Sequence, residues 1–277
     1  MIAQVKLPSG ETVPALGQGT WRIGEDRRQR ATETAAIQLG IDLGMTLIDT
    51  AEMYGDGESE SLVGAAIAGR RQDVFLVSKV YPHNATREGV LAACERSLRR
   101  LQTDRLDLYL LHWRGQHRLE QTIRGFEDLQ RAGKIRHWGV SNFDVADMED
   151  LLEAGGEACA SDQILYNVGR RGPEWDLIGW LAAHGMPTMA YSPIEQGRLP
   201  NSGPIADIAR AHGVSRFQVA LAWLLQRPGV IAIPKAATQA HVRENRAAAD
   251  LRLSHEDLTA LDAQFRPPTG PRPLEML

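Results

Sequence analysis

Short apolar runs alternate along this chain with segments whose apolar residues recur at helical spacing. Strands are predicted at 15–19, 46–50, 74–79, 107–112, 136–141, 162–166, 187–192 and 230–234, and helices at 29–44, 58–69, 86–101, 118–132, 144–154, 174–185, 204–227 and 239–248. In 86–101, for example, Val90, Leu91, Cys94, Leu98 and Leu101 fall on one stripe. The stretch 204–227 reads as two helices broken near Gly213-Val214-Ser215, and a further helix at 255–265 starts from a Ser254 cap. Ahead of the repeat, residues 3–14 alternate around Pro8-Ser9-Gly10, a hairpin signal. The tail from Arg266 is rich in proline and is expected to be irregular.

Eight strand–helix repeats are compatible with a closed parallel barrel or an open doubly wound sheet. The count, and a length of 277 residues with no polar linker, favour the barrel: a (β/α)8 TIM barrel forming a single domain over 1–277, with an N-terminal β-hairpin and two extra helices. The net charge of −4 is mild and dispersed, which argues against nucleic acid or a polybasic membrane contact as partner. The N-terminus lacks an apolar signal region, and no apolar run approaches the ~20 residues of a membrane span. A cytoplasmic protein is expected, monomeric for want of an apolar seam. Cys94 and Cys159 make no disulfide framework, and Cys94 reads as a buried small hydrophobe.

A barrel collects its chemistry at the C-terminal ends of its strands. Those ends read Gly19-Thr20-Trp21, Asp49, Lys79, His112-Trp113, Ser141-Asn142, Gln163 to Asn167, Tyr191-Ser192 and Pro234-Lys235. An acid where a strand leaves the core needs a partner. Lys79, closing the neighbouring strand, is the obvious one for Asp49. Tyr54, five residues after Asp49, can fold back over both. An ammonium beside a phenol stabilises the phenolate, so a lowered Tyr54 pKa is expected, and such a phenol can protonate a carbonyl oxygen. Asp49 would then hold Lys79, and His112 would orient the carbonyl. The plainer alternative is a structural ion pair with Tyr54 as a rim aromatic.

The stretches LIDTAEMYGDGESE, FLVSKVYP, DRLDLYLLHW, GKIRHWGVSNF, QILYN, AYSP and IPKAAT together resemble the aldo-keto reductases over nearly the whole chain, and within them the bacterial branch acting on methylglyoxal and other small aldehydes. The resemblance implies a catalytic tetrad of Asp49, Tyr54, Lys79 and His112, with Tyr54 as proton donor, and a nicotinamide cofactor as hydride donor. It places Gly19, Thr20, Trp21 and Asp49 on the cofactor, stacks Tyr191 on its nicotinamide ring, and gives its carboxamide to Ser141, Asn142 and Gln163. Ser192, Ile194, Gln196 and Gly197 would line the pyrophosphate path, and Lys235, Ala236, Thr238, His241, Glu244 and Asn245 the adenosine-phosphate region. By the residues alone, Glu244 and Asn245 read as an exposed helix face.

Relatives often carry arginine where this chain has His241, and serine where it has Ala236. Histidine is mostly neutral at neutral pH and lacks the guanidinium fork. NADPH is therefore expected as cofactor by a reduced margin, with NADH accepted at lower preference. Gly17-Gln18-Gly19 is no dinucleotide fingerprint, lacking a third glycine and a following helix, and Gly64 to Arg70 lies in a helical pattern without the lysine of a phosphate loop. His112 and His117 lack a third ligand and a fixed geometry, so no metal is assigned. Trp21, Tyr54, His112 and Trp113 should wall a small substrate pocket suited to short aldehydes and α-dicarbonyls. Two rival functions use the same residues: a Schiff-base aldolase built on Lys79, and a non-catalytic module that holds a nucleotide and docks on a partner.

Overall fold

The computed structural model describes residues 1–277. An antiparallel hairpin comes first, β1 (Gln4–Lys6) against β2 (Thr12–Pro14), turning through Gly10 at φ 91°. The repeat follows as β3 (Gln18–Gly19), α1 (Arg30–Asp42), β4 (Leu47–Asp49), α2 (Glu58–Ala66), β5 (Phe75–Val80), α3 (Arg87–Leu101), β6 (Leu106–Leu111), α4 (Leu119–Arg131), β7 (Ile135–Ser141), α5 (Val145–Glu153), β8 (Asp162–Leu165), α6 (Leu177–Ala183), β9 (Thr188–Tyr191), α7 (Pro204–His212), α8 (Arg216–Leu225), β10 (Val230–Ala232), α9 (Gln239–Ala247) and α10 (His255–Gln264). No helix is long and apolar enough to cross a membrane.

Strands β3 to β10 pair in chain order, every pair parallel. The two edges then meet. Leu16 bridges Ala232 and Gly19 bridges Lys235, and the Gly17 N–H donates to Ala232 O at 2.8 Å. Closure decides for the barrel over the open sheet. It also explains Gly19: a Cβ there would stand 2.6 Å from Ile233 O across the seam.

Alternate residues of each strand face opposite layers. Leu47, Val77, Leu108, Leu110, Met189 and Ile231 fill the barrel, while Ile48, Leu76, Tyr109 and Leu111 pack outward under the helices. Val5, Leu7 and Val13 of the hairpin join the inner cluster, plugging the N-terminal end and leaving the C-terminal end as the mouth.

Several boundaries are shorter than the periodicity predicts. The seam strand predicted at 15–19 is regular only at Gln18–Gly19, because closure there runs through isolated bridges. The helix predicted at 174–185 begins at Leu177, where Asp176 accepts the Leu177 N–H at 2.6 Å; Gly172–Glu174 forms a separate turn. The break in 204–227 is observed, with Gly213 left-handed at φ 65° and Ser215 and Gln218 forming a capping box. Ser254 caps α10 as expected, reciprocally with Asp257. Cys94 and Cys159 are both buried and free.

Candidate active site

Three successive left-handed residues shape the turn that carries Tyr54. Gly55, Asp56 and Gly57 have φ of 57°, 54° and 90°. Glycine adopts this region freely and aspartate tolerates it. The chain turns sharply into α2, leaving the phenol over the end of β5. Asp49 pairs in register with Val77 of β5, and Lys79 lies two residues further along on the same inward face. Lys79 is fully buried. Its Nζ donates to both Asp49 oxygens at 2.8 Å, to Thr50 O at 2.9 Å and to the Tyr54 hydroxyl oxygen at 3.2 Å. Because Lys79 donates to that oxygen, the Tyr54 O–H remains free to donate elsewhere. The neutral-side partner of the group is His112, buried at the end of β6, its ring 5.9 Å from that of Tyr54 in an edge-on arrangement and its Nδ1 unpartnered. All four predicted residues converge, and the acid at the strand end has its cation.

Tyr54 corrects one expectation. Its pKa is raised, not lowered: burial disfavours the phenolate by more than the Lys79 charge favours it. The phenol is thus held in its acid form. Lys79 is raised as well; burial opposes its charge, but Asp49 and Tyr54 together outweigh it. An ammonium whose charge is favoured and whose N–H bonds are all engaged is a poor Schiff-base nucleophile, which argues against the aldolase reading. Burial, with Lys79 nearby, pushes His112 down to about 2, so its imidazole is neutral and has one N–H to give.

The residues expected around a nicotinamide form one hydrogen-bonded group on the opposite wall. Ser141 Oγ donates to Gln163 O at 2.7 Å. Asn142, left-handed at φ 59°, donates through Nδ2 to His112 O at 3.1 Å and Ser141 Oγ at 3.0 Å, and accepts the Tyr191 O–H at 2.9 Å. Gln163 Nε2 donates to Asp49 Oδ1 at 2.7 Å. Thr20 is differently employed. Its N–H and Oγ1 both donate to Asp49 O, and Ser59 Oγ donates back to it, so the side chain is spent in the barrel wall. Gly19 likewise serves the seam. Trp21 is exposed at the rim with the Arg22 guanidinium 4.5 Å over its ring.

The segment after β9 has an unusual backbone, with Ser192, Glu195, Gln196 and Gly197 all at positive φ between 48° and 81°. Glu195 pins it, accepting Asn167 Nδ2 at 2.8 Å and Arg170 at 2.9 Å; Asn167 also donates to Ser192 O at 2.9 Å. Ile194 is half-buried within it, and Gln196 is exposed. At the far end, Thr238 caps α9, accepting the His241 N–H at 3.3 Å, with Lys235 and His241 exposed beside it and Ala236 half-buried. Asn245 is buried and its Nδ2 has no partner, so the exposed-face reading fails for this residue; Glu244 is half-buried. An orphaned buried amide at the end of a capped, basic helix start fits a nucleotide.

Sequence reasoning missed Tyr81. Its ring lies 5.8 Å from Trp113, 6.4 Å from His112 and 4.7 Å from His83, so it joins Trp113 and His112 in one aromatic cluster at the mouth. Its place two residues beyond Lys79 was the available signal. Asn167, Arg170 and Glu195 were missed as loop supports because no local pattern links them.

The aldo/keto reductase family profile matches residues 15–265. Among curated relatives, methylglyoxal reductase YeaE of Escherichia coli K12 is 53% identical over 99% of this chain and 98% of its own length, and glyoxal reductase of Bacillus subtilis 36% identical over 99% and 97%. An aldo/keto reductase from Klebsiella pneumoniae, solved in complex with NADP and acetate, superposes with a TM-score of 0.97 at 49% identity, covering all of both chains. With the barrel closed, the four groups assembled at its mouth and these matches spanning nearly every residue, the chain belongs to the aldo/keto reductase family.

Proposed function

We propose that this protein reduces small aldehydes and α-dicarbonyls of the methylglyoxal type, with NADPH as cofactor and Tyr54 as proton donor. The observation that carries the reading is the Tyr54 hydroxyl held at 3.2 Å from a buried ammonium with its own proton unspent. The E. coli and B. subtilis relatives are named for reduction of methylglyoxal and glyoxal, and the Klebsiella neighbour binds NADP, which supports the substrate class and the cofactor.

Bound NADPH supplies the hydride. Ser141, Asn142, Gln163 and Tyr191 would hold its nicotinamide end, Ser192, Ile194, Gln196 and Gly197 its pyrophosphate, and Lys235, Ala236, Thr238, His241, Glu244 and Asn245 its adenosine end, with Trp21 at the rim and Asp49 buried beneath the mouth. Neutral His112 gives an N–H to the substrate carbonyl oxygen and fixes its orientation. As negative charge develops on that oxygen, Tyr54 delivers its proton to it, and Lys79, held by Asp49, stabilises the phenolate left behind. A phenol whose pKa is raised at rest stays loaded at neutral pH, and the ammonium acts where it counts, as charge forms. Trp21, Tyr81, His112 and Trp113 would wall the substrate. One barrel domain over 1–277, working as a monomer, is sufficient for all of this.

The test is Tyr54→Phe, which keeps the ring and removes the proton. Methylglyoxal turnover, followed by loss of NADPH absorbance, should fall by about 10²–10⁴-fold, with NADPH binding, read by quenching of protein fluorescence, unchanged. Turnover at the parent rate would overturn the mechanism.

A further inference from the structure

Gln163 and Asp49 stand on strands four places apart in the barrel, β8 and β4, and are 114 residues apart in the chain, yet their side chains meet across the interior at 2.7 Å. Both are buried. A carboxylate only accepts, so the Gln163 atom facing Asp49 must be its NH₂. That sets the amide: Nε2 is committed inward and Oε1 is left for the other side. Asp49 Oδ1 thus receives two donors, Lys79 and Gln163, and Oδ2 receives Lys79 alone. The Lys79 ammonium has three N–H bonds, and Asp49, Thr50 O and the Tyr54 oxygen account for them. Asp49 supplies two of the four acceptor atoms around it, so its position is coupled to the plane of the Asp49 carboxylate. A carboxylate's terminal torsion is broad and soft, and Lys79 alone would turn with it. The cross-barrel amide is what holds that plane.

We propose that Gln163 is a positioning residue for the proton donor: through Asp49 it sets where Lys79 sits beneath Tyr54, in addition to any contact it makes with the cofactor. The proposal rests on Tyr54 being the proton donor. It gives this wall of the mouth a second task. The amide that would meet the cofactor carboxamide through Oε1 is the one that fixes the acid–ammonium pair through Nε2, so the two halves of the site share a single rigid group.

The experiment compares Gln163→Met, Gln163→Glu and Ser141→Ala, with circular dichroism as the check on folding. The first readout is the phenolate titration of Tyr54 in the cofactor-free protein, taken as the difference from Tyr54→Phe; the second is the pH profile of kcat. Gln163→Met has the length of glutamine without its donor. It should raise the Tyr54 titration midpoint and move the alkaline limb of kcat upward, with kcat near neutral pH falling about tenfold or more. Ser141→Ala removes a neighbouring hydroxyl without touching Asp49; it should alter NADPH affinity and leave the titration in place. Gln163→Glu is the discriminating variant. At acid pH its carboxyl is protonated and can donate to Asp49, so kcat should recover there relative to Gln163→Met. As pH rises the proton is lost, two carboxylates face each other, and the recovery should vanish. A Gln163→Met protein with weaker NADPH binding but an unmoved Tyr54 titration would overturn the proposal. So would a Gln163→Glu protein matching Gln163→Met at every pH. Full activity of Tyr54→Phe would instead sink the proton-donor reading, so the two failures are distinguishable.

Discussion

At the scale of single residues, burial rather than charge decides how this site titrates. The chain shows which groups meet, since Asp49, Lys79 and His112 each end an apolar run and Tyr54 follows at once. It does not show how deeply each is buried, and that reverses the sign for Tyr54: the ammonium is present as expected, but desolvation outweighs it. His112 illustrates the same balance, and its consequence is measurable. Its folded pKa is depressed to about 2 against an ordinary 6.5. Below pH 6.5 the unfolded chain takes up a proton that the folded protein refuses. Stability is therefore intact above pH 6.5 and declines as pH falls toward 2, by at most ~1.4 kcal/mol per pH unit for this one group. His112→Gln removes the linkage. Thermal melts of both proteins from pH 7.5 to 4.5 should show a Tm difference that changes in favour of the variant as pH falls. A difference that does not vary with pH would mean that His112 titrates normally. For the same reason kcat should show no acid limb belonging to His112 near pH 6.

At the scale of elements, helix periodicity was easy to read and the order of the strands was read correctly, with most strand ends placed one or two residues off, whereas the barrel's long-range couplings were not read. The break before α8 and the Ser254 cap of α10 were legible because each lies within three or four residues. The support of the loop after β9 was not, because Glu195 belongs to that loop while Asn167 and Arg170 belong to the loop after β8, and Arg170 also reaches Glu275 in the tail at 2.9 Å. Nor was the seam, where closure brings Ile233 O against Gly19. Helix α9 is the element whose departure from the family pattern carries a prediction. Its start presents Lys235 and His241 as exposed groups beside the Thr238 cap. An imidazole lacks the two-pronged fork with which a guanidinium grips a phosphate, and a charge-assisted hydrogen bond is worth about 1.5–3 kcal/mol. His241→Arg should therefore raise the ratio of kcat/KM for NADPH over NADH about tenfold or more, mainly through KM. Parent enzyme with equal values for the two cofactors, or favouring NADH, would contradict the NADPH assignment itself.

At the scale of the whole molecule, the site and the fold depend on the same closure. The proposed cofactor residues are drawn from the ends of β4, β7, β8 and β9, from the segment after β9 and from α9, while the seam ties β3 near the start of the chain to β10 near its end. The hairpin adds Val5, Leu7 and Val13 to the same inner cluster as Leu47 and Ile231, so the first residues of the chain support the last strand. No half of the chain has an inner core of its own: Leu47 and Val77 from the first part pack with Met189 and Ile233 from the second. A ligand bridging these strands stabilises the whole barrel or nothing, since binding the folded state adds RT ln(1 + [L]/Kd), about 2.7 kcal/mol at a hundredfold excess over Kd. Calorimetry should thus give one unfolding transition without NADPH and one at higher temperature with it, the calorimetric and van't Hoff enthalpies agreeing in both. Two transitions, with only one of them moved by NADPH, would show that residues 1–277 contain separately folding units and that the cofactor is held by one of them.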